Sequence, residues 1–578
     1  MRVREKDIEF LHAGPLANLK ELDAITETDF REAWELSLSG GSTLTLQDLS
    51  ELVFNEWTPK TAWSCYCALC DNLYFCGTTN AIKPRGVDEV KETQNKRELK
   101  RNEGDVRYAF IERLKKHSLV LPDDERFMQD VEALALGKTE KSRTLHEAGI
   151  PEDPIAAHRL LLETGVWTTS INPHPVRWGL SLHSAKKPVA APPKEPRVDL
   201  TAVASFAVDN EGSLDPDDAV GLVPEPENGG WMLYVHVADP AAAVTTGGAA
   251  DIEARQRGAT LYAPEGAARM LCDEALPLFA LGLTETSPAL TFKIKLTSDC
   301  SITNVEIMLS TVKVTRLTYE KADNEAVFEP FFALADSNIK RRRDAGAVFI
   351  DFPEVYISVK EGNVSVTPQR NTKSQAAVRE CMLLAGEAAA LWALQHNIAF
   401  PFISQETGDL PKEPLSGLAG AYQLRRCMRP RTLSAHPGLH WGLGLDIYSQ
   451  VTSPLRRYTD LLAHQQIRAV LTGLAPFSEE EITGRLGVCE HGAIACVRAE
   501  RASRQFWLCV YLADKIDSVW EGVVLARLGP HAVIFIPGLG METQTACPKG
   551  ADPKPNDIVH VKVAGVRLPE STVSFLFV

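Results

Sequence analysis

Long apolar runs are missing from this chain of 578 residues. No stretch approaches the roughly 18 consecutive apolar residues that a membrane-spanning helix needs. The first residues, MRVREKDIEFLHAG, contain no apolar core of a signal peptide and are too acidic for a typical organellar targeting peptide. We therefore expect a cytoplasmic protein that is not exported and does not interact with membranes.

An excess of basic residues is also missing, because 61 Lys and Arg face 76 Asp and Glu, for a formal net charge of −15. This balance argues against non-specific coating of DNA, although a local basic channel for a nucleic acid remains compatible with it. The 12 cysteines do not form the dense framework of a small disulfide-bonded domain, which indicates a reducing compartment. A phosphate-binding Walker loop and a dinucleotide fingerprint are absent, since the glycines of GLGL at 442–445 lack the required spacing.

The length predicts about three or four domains. We predict a multidomain α+β protein with a helical winged helix-turn-helix-like N-terminal region, a central mixed α/β catalytic domain and a C-terminal OB-fold β-barrel. The predicted boundaries are 1–85 for the winged helix-turn-helix-like domain, 86–185 for a helical region, 186–197 for a linker, 198–515 for the catalytic domain and 516–578 for the barrel.

The N-terminal region has the outline of a winged helix-turn-helix. Thr45 and Asp48 resemble a capping box that opens a helix, a turn ending at Pro59 precedes a second helix, and a short strand at 73–75 ends at Gly77. The second helix, KTAWSCYCALC, has one Lys and no Arg, which counts against a DNA-reading regulator. Helix pairs of this kind also occur without any role in nucleic-acid binding.

Two cysteines of the same helix, Cys67 and Cys70, have the CxxC spacing that can begin a zinc site. No second CxxC or HxxxH follows at a suitable distance, so we expect buried packing thiols rather than a metal site.

The rest of the chain alternates between clear helical and strand patterns. A charged stretch at 87–118 predicts a solvent-facing helix, and the Pro-rich segment KKPVAAPPKEPR at 186–197 predicts a linker. The Ala- and Leu-rich segment 373–395 predicts a long buried helix. After Lys515, short apolar strands broken by Gly and Pro suit a five-stranded OB-type barrel, whose similar numbers of acids and bases predict modest, salt-sensitive RNA binding.

The most informative feature is the run AVDNEGSLDPDDAV, which places Asp209, Asp215, Asp217 and Asp218 within ten residues. Carboxylates this close raise one another's pKa unless a cation neutralises them. Only oxygen ligands are offered, which suits a hard ion such as Mg²⁺ or Mn²⁺, and such sites commonly cut phosphodiester bonds.

Two other interpretations of this run have to be considered. A calcium loop of EF-hand type that begins at Asp209 fails, because Leu214 stands at the Gly position and Val220 at the position of the bidentate Glu. A solvated acidic surface loop is the commoner case for such composition. The apolar strand patterns on both sides, at 202–208 and 219–223, favour a site over a surface loop.

The acidic run is one of six segments in which the chain resembles the ribonuclease II / ribonuclease R (RNB) family of 3′→5′ exoribonucleases. Their order and spacing match the family's catalytic domain over about residues 200–515, and the C-terminal barrel matches its OB-fold tail. The front of the chain resembles the subgroup of Deinococcus and cyanobacteria, in which a helix-turn-helix region replaces two cold-shock domains. The other five segments are YVHVADPAAAV (234–244), DIEARQRGATLYAPEGAARML (251–271), VRECMLLAGEAAA (378–390), HWGLGLDIYSQVTSPLRRYTDLLAHQ (440–465) and VRAER (497–501).

The resemblance implies metal ligation by the four aspartates. Asp209, Asp215 and Asp218 match the family's metal ligands, and Asp217 matches its most sensitive catalytic carboxylate, which acts through a second ion or by orienting the attacking water. Such sites lower the pKa of bound water and stabilise the leaving oxygen. The implied cofactor is Mg²⁺, with Mn²⁺ as an alternative.

The resemblance also implies RNA contacts. Arg456 matches the arginine that grips the phosphate, and Arg457 is its neighbour on the RNA backbone. Tyr262 matches the aromatic residue that stacks on the 3′-terminal base, and Glu500 matches a glutamate near the terminal nucleotide. A second stacking aromatic has only a loose candidate, Phe402.

Three further positions are interpreted from the same comparison. His236 and His464 are expected to be structural rather than general bases. Gly386 stands where relatives often have Asn, and this difference is expected to reduce activity slightly.

We thus expect a Mg²⁺-dependent exoribonuclease that degrades single-stranded RNA from the 3′ end to nucleoside 5′-monophosphates. We expect it to act as a monomer without an obligate protein partner. The alternative is a catalytically inactive RNB-fold protein that binds RNA, for which loss of an acidic ligand would be the sign; all four aspartates are present.

Overall fold

A computed structural model describes residues 8–16, 18, 19, 22, 27–225 and 229–578. The chain divides into two compact units, Met1–Asp124 and Glu125–Val578. None of the described helices is long and apolar enough to cross a membrane.

The first unit consists of helices and one small hairpin. Its elements are α1 (Glu27–Leu38), α2 (Leu46–Phe54), α3 (Pro59–Asp71), β1 (Phe75–Thr78), β2 (Ala81–Pro84) and α4 (Val87–Lys115). The Thr45 side chain accepts the Asp48 N–H, and the Asp48 carboxylate accepts the Thr45 N–H, so the predicted capping box opens α2. Three helices followed by an antiparallel hairpin, packed on Leu49, Phe75 and Ile82, give the winged helix-turn-helix outline that the sequence predicts.

The cysteines of α3 differ from the expectation of buried thiols. Cys65 is buried, whereas Cys67 is half-buried and Cys70, one turn after Cys67 on the same face of the helix, is exposed. The charged segment that follows forms α4, whose middle is exposed all round, as predicted.

The second unit begins with four short helices, α5 (Gln129–Ala135), α6 (Arg143–Ala148), α7 (Pro154–Glu163) and α8 (His174–Arg177). The Pro-rich segment 186–197 that follows has no helix or strand, but both of its ends are fixed. Glu253 accepts two backbone N–H groups at its start. At its end Arg197 pairs with the buried carboxylate of Asp239 (2.6 Å), which also binds Arg468. The predicted linker is therefore a bound strap rather than a free tether.

After this strap the second unit continues with strands and helices up to the C-terminal barrel. They are β3 (Val198–Asp199), β4 (Ser205–Asp209), β5 (Asp218–Glu225), β6 (Gly230–Ala238), α9 (Ala249–Arg257), β7 (Leu261–Ala263), β8 (Gly266–Ala268), α10 (Leu276–Phe279), β9 (Ser287–Leu296), β10 (Ile302–Val312), β11 (Val314–Thr318), α11 (Tyr319–Ala322), α12 (Glu329–Asp344), β12 (Val355–Lys360), β13 (Asn363–Pro368), α13 (Lys373–Gln395), β14 (Phe402–Gln405), α14 (Gly417–Cys427), β15 (Arg431–Ser434), α15 (Tyr458–Leu471), α16 (Glu479–Ala513), β16 (Val519–Leu528), β17 (His531–Ile536), β18 (Met541–Ala546), β19 (Ile558–Arg567) and β20 (Thr572–Phe577).

A seven-stranded mixed sheet forms the centre of the second unit, in the order β11-β4-β5-β6-β9-β10-β3. Its apolar face packs on the long helix α13, where the predicted buried helix places Cys381, Leu384 and Ala388 in the core. Strand β4 ends at Asp209, paired with Thr318 of the parallel strand β11, and β5 begins at Asp218. The acidic turn therefore lies at one edge of a buried sheet.

The C-terminal strands form a five-stranded antiparallel sheet in the order β18-β17-β16-β19-β20. Thr545 of β18 donates a hydrogen bond to the Phe575 carbonyl of β20 (2.6 Å), so the two edges approach each other and the barrel is nearly closed. This confirms the predicted OB-type barrel. Its core is shared with the end of α16 through Phe506 and Trp507.

Candidate active site

The acidic turn and the arginine loop of the TSPLRRY motif meet through Asp217. This carboxyl is 4% exposed. Its Oδ1 accepts the backbone N–H of Leu455 (2.8 Å), and its Oδ2 accepts Nε of Arg456 (3.2 Å). Two motifs more than 200 residues apart in the sequence are thus joined by one side chain.

The carboxyls of the turn have strongly perturbed acidities. Burial raises the pKa of Asp217 to about 8, against the lowering effect of Arg456. Burial and the neighbouring Asp209 raise the pKa of Asp218 to about 7. Burial and Asp215 likewise raise the pKa of Asp209. Buried carboxyls that repel one another are a frequent property of catalytic and metal sites.

The donor set fits a hard divalent cation, because these aspartates offer only carboxylate oxygens and their mutual repulsion is relieved by positive charge. Among the described residues, however, the side chains do not converge into a group of three or more ligands. Asp217 and Asp215 accept hydrogen bonds from protein donors. Asp209 has a hydrogen bond with the Ser213 side chain, which opposes the rise of its pKa.

The two arginines of the motif have different surroundings. Arg456 has a side chain that is 43% exposed, and only its Nε bonds Asp217, so within the described residues its two terminal nitrogens have no protein acceptor. Burial opposes its charge, but Asp217 and Asp218 raise its pKa. Arg457 instead forms a two-pronged pair with Asp460, at 3.0 and 2.7 Å. The guanidinium available to a phosphate is therefore that of Arg456.

Tyr262 is held at two points, and its ring is half-exposed. Its backbone N–H donates to Glu500 Oε1 (2.7 Å), and its hydroxyl donates to Asp215 Oδ2 (3.1 Å). Thr260, two residues earlier, donates its N–H to the Arg456 carbonyl (2.9 Å). The predicted stacking residue is thus connected to the acidic turn and to the arginine loop, and Glu500 is a positioning group for it in this geometry.

Other residues considered from the sequence have structural surroundings. Phe402 is 2% exposed and packs in the core, so it presents no free face for a base. His236 is buried between the hydroxyls of Ser205 and Thr291, and His464 Nε2 donates to the Val451 carbonyl. These contacts are those of structural histidines.

Gly386 lies in α13 at a point of very close packing. A Cβ at this position would be 2.3 Å from the Ser449 carbonyl oxygen and 2.4 Å from the ring of Tyr448. Gly386 therefore permits the close approach of Tyr448, in the segment that leads to the arginine loop.

Three residues near the turn have functions that the sequence did not reveal. Arg316 donates to the Ser213 carbonyl (2.5 Å), and its charge slightly opposes the rise in the pKa of Asp209. Burial and the charges of Asp209 and Asp218 raise the pKa of the Tyr319 hydroxyl. Asp460 stabilises the arginine loop through the Ser453 N–H (2.8 Å). Asp460 stands inside the quoted TSPLRRYTDLL motif, but no local pattern distinguishes these residues from surface charges.

The comparison with known proteins agrees with this geometry. The family model described as RNB domain matches residues 197–414 and 412–473, which contain the acidic turn and the arginine loop. The uncharacterized ribonuclease sll1290 of Synechocystis is 30% identical over 565 residues, which are 91% of this chain and 85% of that protein. The chain belongs to the RNB family of exoribonucleases. Enzymes of the RNB family generally use a divalent metal ion.

The helix-turn-helix content of this RNB protein extends beyond the segment predicted from the sequence. A family model described as double HTH domain matches residues 90–173, which follow the predicted winged segment 1–85. The presence of helix-turn-helix structure in the front of the chain is confirmed, whereas the domain boundaries remain predictions.

Two solved structures share the RNB fold at 17% identity. An active-site mutant of the Dss1 exoribonuclease from Candida glabrata superposes with a TM-score of 0.70 over 96% of this chain and 83% of that one. Yeast Ssd1, a pseudonuclease, gives 0.55 over 65% of this chain and 55% of that one. The same fold thus occurs in an exoribonuclease and in an inactive relative, and the side chains of the site have to distinguish them.

Proposed function

We propose that this RNB protein is a Mg²⁺-dependent exoribonuclease that degrades single-stranded RNA from the 3′ end and releases nucleoside 5′-monophosphates. The observation that carries the proposal is the bond of Asp217 to the arginine loop, because it brings the Arg456 guanidinium, a group suited to binding phosphate, beside the acidic turn. Mn²⁺ is the alternative ion. We further propose that the protein acts as a cytoplasmic monomer.

In the proposed mechanism Asp209, Asp215, Asp217 and Asp218 would hold the divalent ion, which would lower the pKa of a water molecule and neutralise charge on the phosphate. The terminal nitrogens of Arg456 bind two phosphate oxygens and stabilise their developing negative charge. Asp217 orients this guanidinium by accepting a hydrogen bond from its Nε. The ring of Tyr262 stacks on the terminal base, which any base permits. Arg457 stabilises the loop through Asp460 and lies beside the RNA backbone.

The rival function is binding of RNA without cleavage, as the inactive relative illustrates. The presence of all four aspartates and of Arg456 in one site favours cleavage. In Asp217→Asn the amide retains an acceptor for Leu455 but presents a donor to Arg456 Nε, so both the charge and the arginine geometry are lost.

The test uses purified protein and 5′-labelled single-stranded RNA with Mg²⁺. Parallel reactions contain EDTA, DNA of the same sequence, or Asp217→Asn. We expect stepwise shortening of RNA alone, with the label retained on ever shorter fragments and mononucleotides carrying a 5′-phosphate as products. Asp217→Asn is expected to bind RNA without shortening it. Binding without cleavage by the unmutated protein would refute the proposal in favour of the rival function.

A further inference from the structure

The hairpin β7–β8 carries Tyr262 and is only two short strands joined by Pro264 and Glu265. An isolated two-stranded hairpin of this length has little stability of its own. The position of the Tyr262 ring, which is 42% exposed, therefore depends on what holds the turn of the hairpin as well as on the bonds of Tyr262 to Glu500 and Asp215.

The carboxylate of Glu265 fixes this turn to two other parts of the second unit. Its Oε1 accepts Nδ2 of Asn172 (2.6 Å), and its Oε2 accepts Nε1 of Trp507 in α16 (2.5 Å). Asn172 and Trp507 are 8% and 1% exposed. Hydrogen bonds to an ionised carboxylate in such sheltered surroundings are shorter and stronger than neutral ones.

The turn has one more support, and the helical segment also contacts α16 and the barrel. The Val359 N–H of β12 donates to the Pro264 carbonyl (3.0 Å). Asn172, which follows α7, also donates to Ser503 of α16 (2.8 Å). Arg159, on the exposed face of α7, pairs with Glu570 beside the barrel. This part of the helical region thus braces α16, the barrel and the hairpin.

We propose that Glu265 is a positioning residue for RNA binding, which through Asn172 and Trp507 holds Tyr262 where it stacks on the terminal base. The inference rests on the proposed function of Tyr262 and extends it to the helical segment. It assigns the segment that contains Asn172 the role of a brace for the hairpin that carries Tyr262.

The experiment measures binding of a short single-stranded RNA in EDTA, so that cleavage does not interfere. In Glu265→Gln an amide faces two donors, and one of the two bonds is lost. We expect RNA binding to weaken about tenfold, as for loss of one stacked base. Glu285→Gln is the matched control, because the Glu285 side chain is 85% exposed and its contact is Lys313 at 3.8 Å. The control is expected to bind like the unmutated protein.

Two combinations separate positioning from a general loss of structure. In the double variant Glu265→Gln with Asn172→Asp, the new amide donates to the new carboxylate and still accepts from Trp507, so binding is expected to return to within about twofold. In a Tyr262→Ala background, Glu265→Gln is expected to weaken binding no further, because its effect acts through that ring.

The results can overturn the positioning role of Glu265 independently of the exonuclease proposal. Normal RNA binding by Glu265→Gln, or its full effect persisting without Tyr262, would overturn the inference while leaving the exonuclease proposal intact. Failure of the Asn172→Asp exchange to restore binding would also overturn it. If the unmutated protein binds but does not cleave RNA and the variants follow the expected pattern, the exonuclease proposal fails and the inference stands.

Discussion

Asp217 and Arg456 are joined by a hydrogen bond of 3.2 Å between a buried carboxylate and a half-exposed guanidinium. The bond fixes Nε and leaves the terminal nitrogens directed away from the carboxylate. A guanidinium fork, that is, its two terminal nitrogens, loses little conformational freedom on binding a phosphate if it is already oriented beforehand. In the proposed function the pair would let the acidic turn and the arginine act on one phosphate.

Arg456→Lys is expected to reduce kcat about 100-fold, because an ammonium group cannot bond Asp217 and two phosphate oxygens at once. The measurement is single-turnover cleavage of labelled RNA. Arg143→Lys serves as control, since the Arg143 side chain is 76% exposed and pairs with Glu147 on its own helix. Equal rates for Arg456→Lys and the unmutated protein would show that the fork is not used.

Tyr262→Phe separates the role of the aromatic ring from that of the hydroxyl that bonds Asp215. The ring is retained, so RNA binding in EDTA is expected to stay within about twofold, whereas Tyr262→Ala loses about tenfold. The phenylalanine lacks the bond to Asp215, so a higher Mg²⁺ concentration is expected for half-maximal cleavage. An unchanged Mg²⁺ requirement would mean that the hydroxyl does not orient Asp215.

Mg²⁺ is expected to raise the unfolding temperature, because an ion that binds only the folded state stabilises it by mass action. Asp218→Asn removes a buried carboxyl that repels Asp209, so this variant is expected to be more stable than the unmutated protein in EDTA and to lose the shift with Mg²⁺. Thermal scans with and without Mg²⁺ test both expectations, the higher unfolding temperature of the variant in EDTA and the loss of its shift with Mg²⁺. An undiminished shift in the variant would exclude Asp218 as a ligand.

Two helix glycines are expected to respond to alanine with opposite signs. Gly386→Ala places a Cβ 2.3 Å from a carbonyl oxygen and is expected to cost about 1–3 kcal/mol by overpacking. Gly484 of α16 has open space around it, so Gly484→Ala is expected to add about 0.5–1 kcal/mol from helix propensity. Urea unfolding of both variants measures the difference. A stabilised Gly386→Ala would contradict the packing described for Tyr448.

His236 is expected to contribute to acid sensitivity. Burial lowers its pKa from 6.5 to about 4 in the folded protein. Between these values the unfolded chain binds the proton and the folded chain does not, so stability is fully present above pH 6.5 and falls as the pH drops towards 4. The loss from pH 7 to pH 5 is at most about 2 kcal/mol. His236→Gln is expected to reduce the decline in unfolding free energy over this range, and an unchanged decline would assign it to other groups.

Some features follow from local sequence because they depend on neighbours a few residues apart. The Thr45–Asp48 capping box, the buried helix α13 and the strands on both sides of the acidic turn were predicted in this way and are present. The acidic turn and the arginine loop were likewise identified from the family's motifs without knowledge of their contacts. The order of these motifs along the chain is itself specific to the family.

The sequence by itself determined the elements, the barrel and the inventory of chemical groups, since periodicity and spacing are local properties. Only the tertiary structure decided which groups meet. It paired Arg457 with Asp460, whereas Arg456 bonds Asp217 through Nε and keeps its terminal nitrogens available. It also turned Glu500 towards the Tyr262 backbone. It also bound both ends of the strap 186–197. Each of these contacts depends on packing and on which partner satisfies a buried charge, and that choice is made between elements remote in sequence.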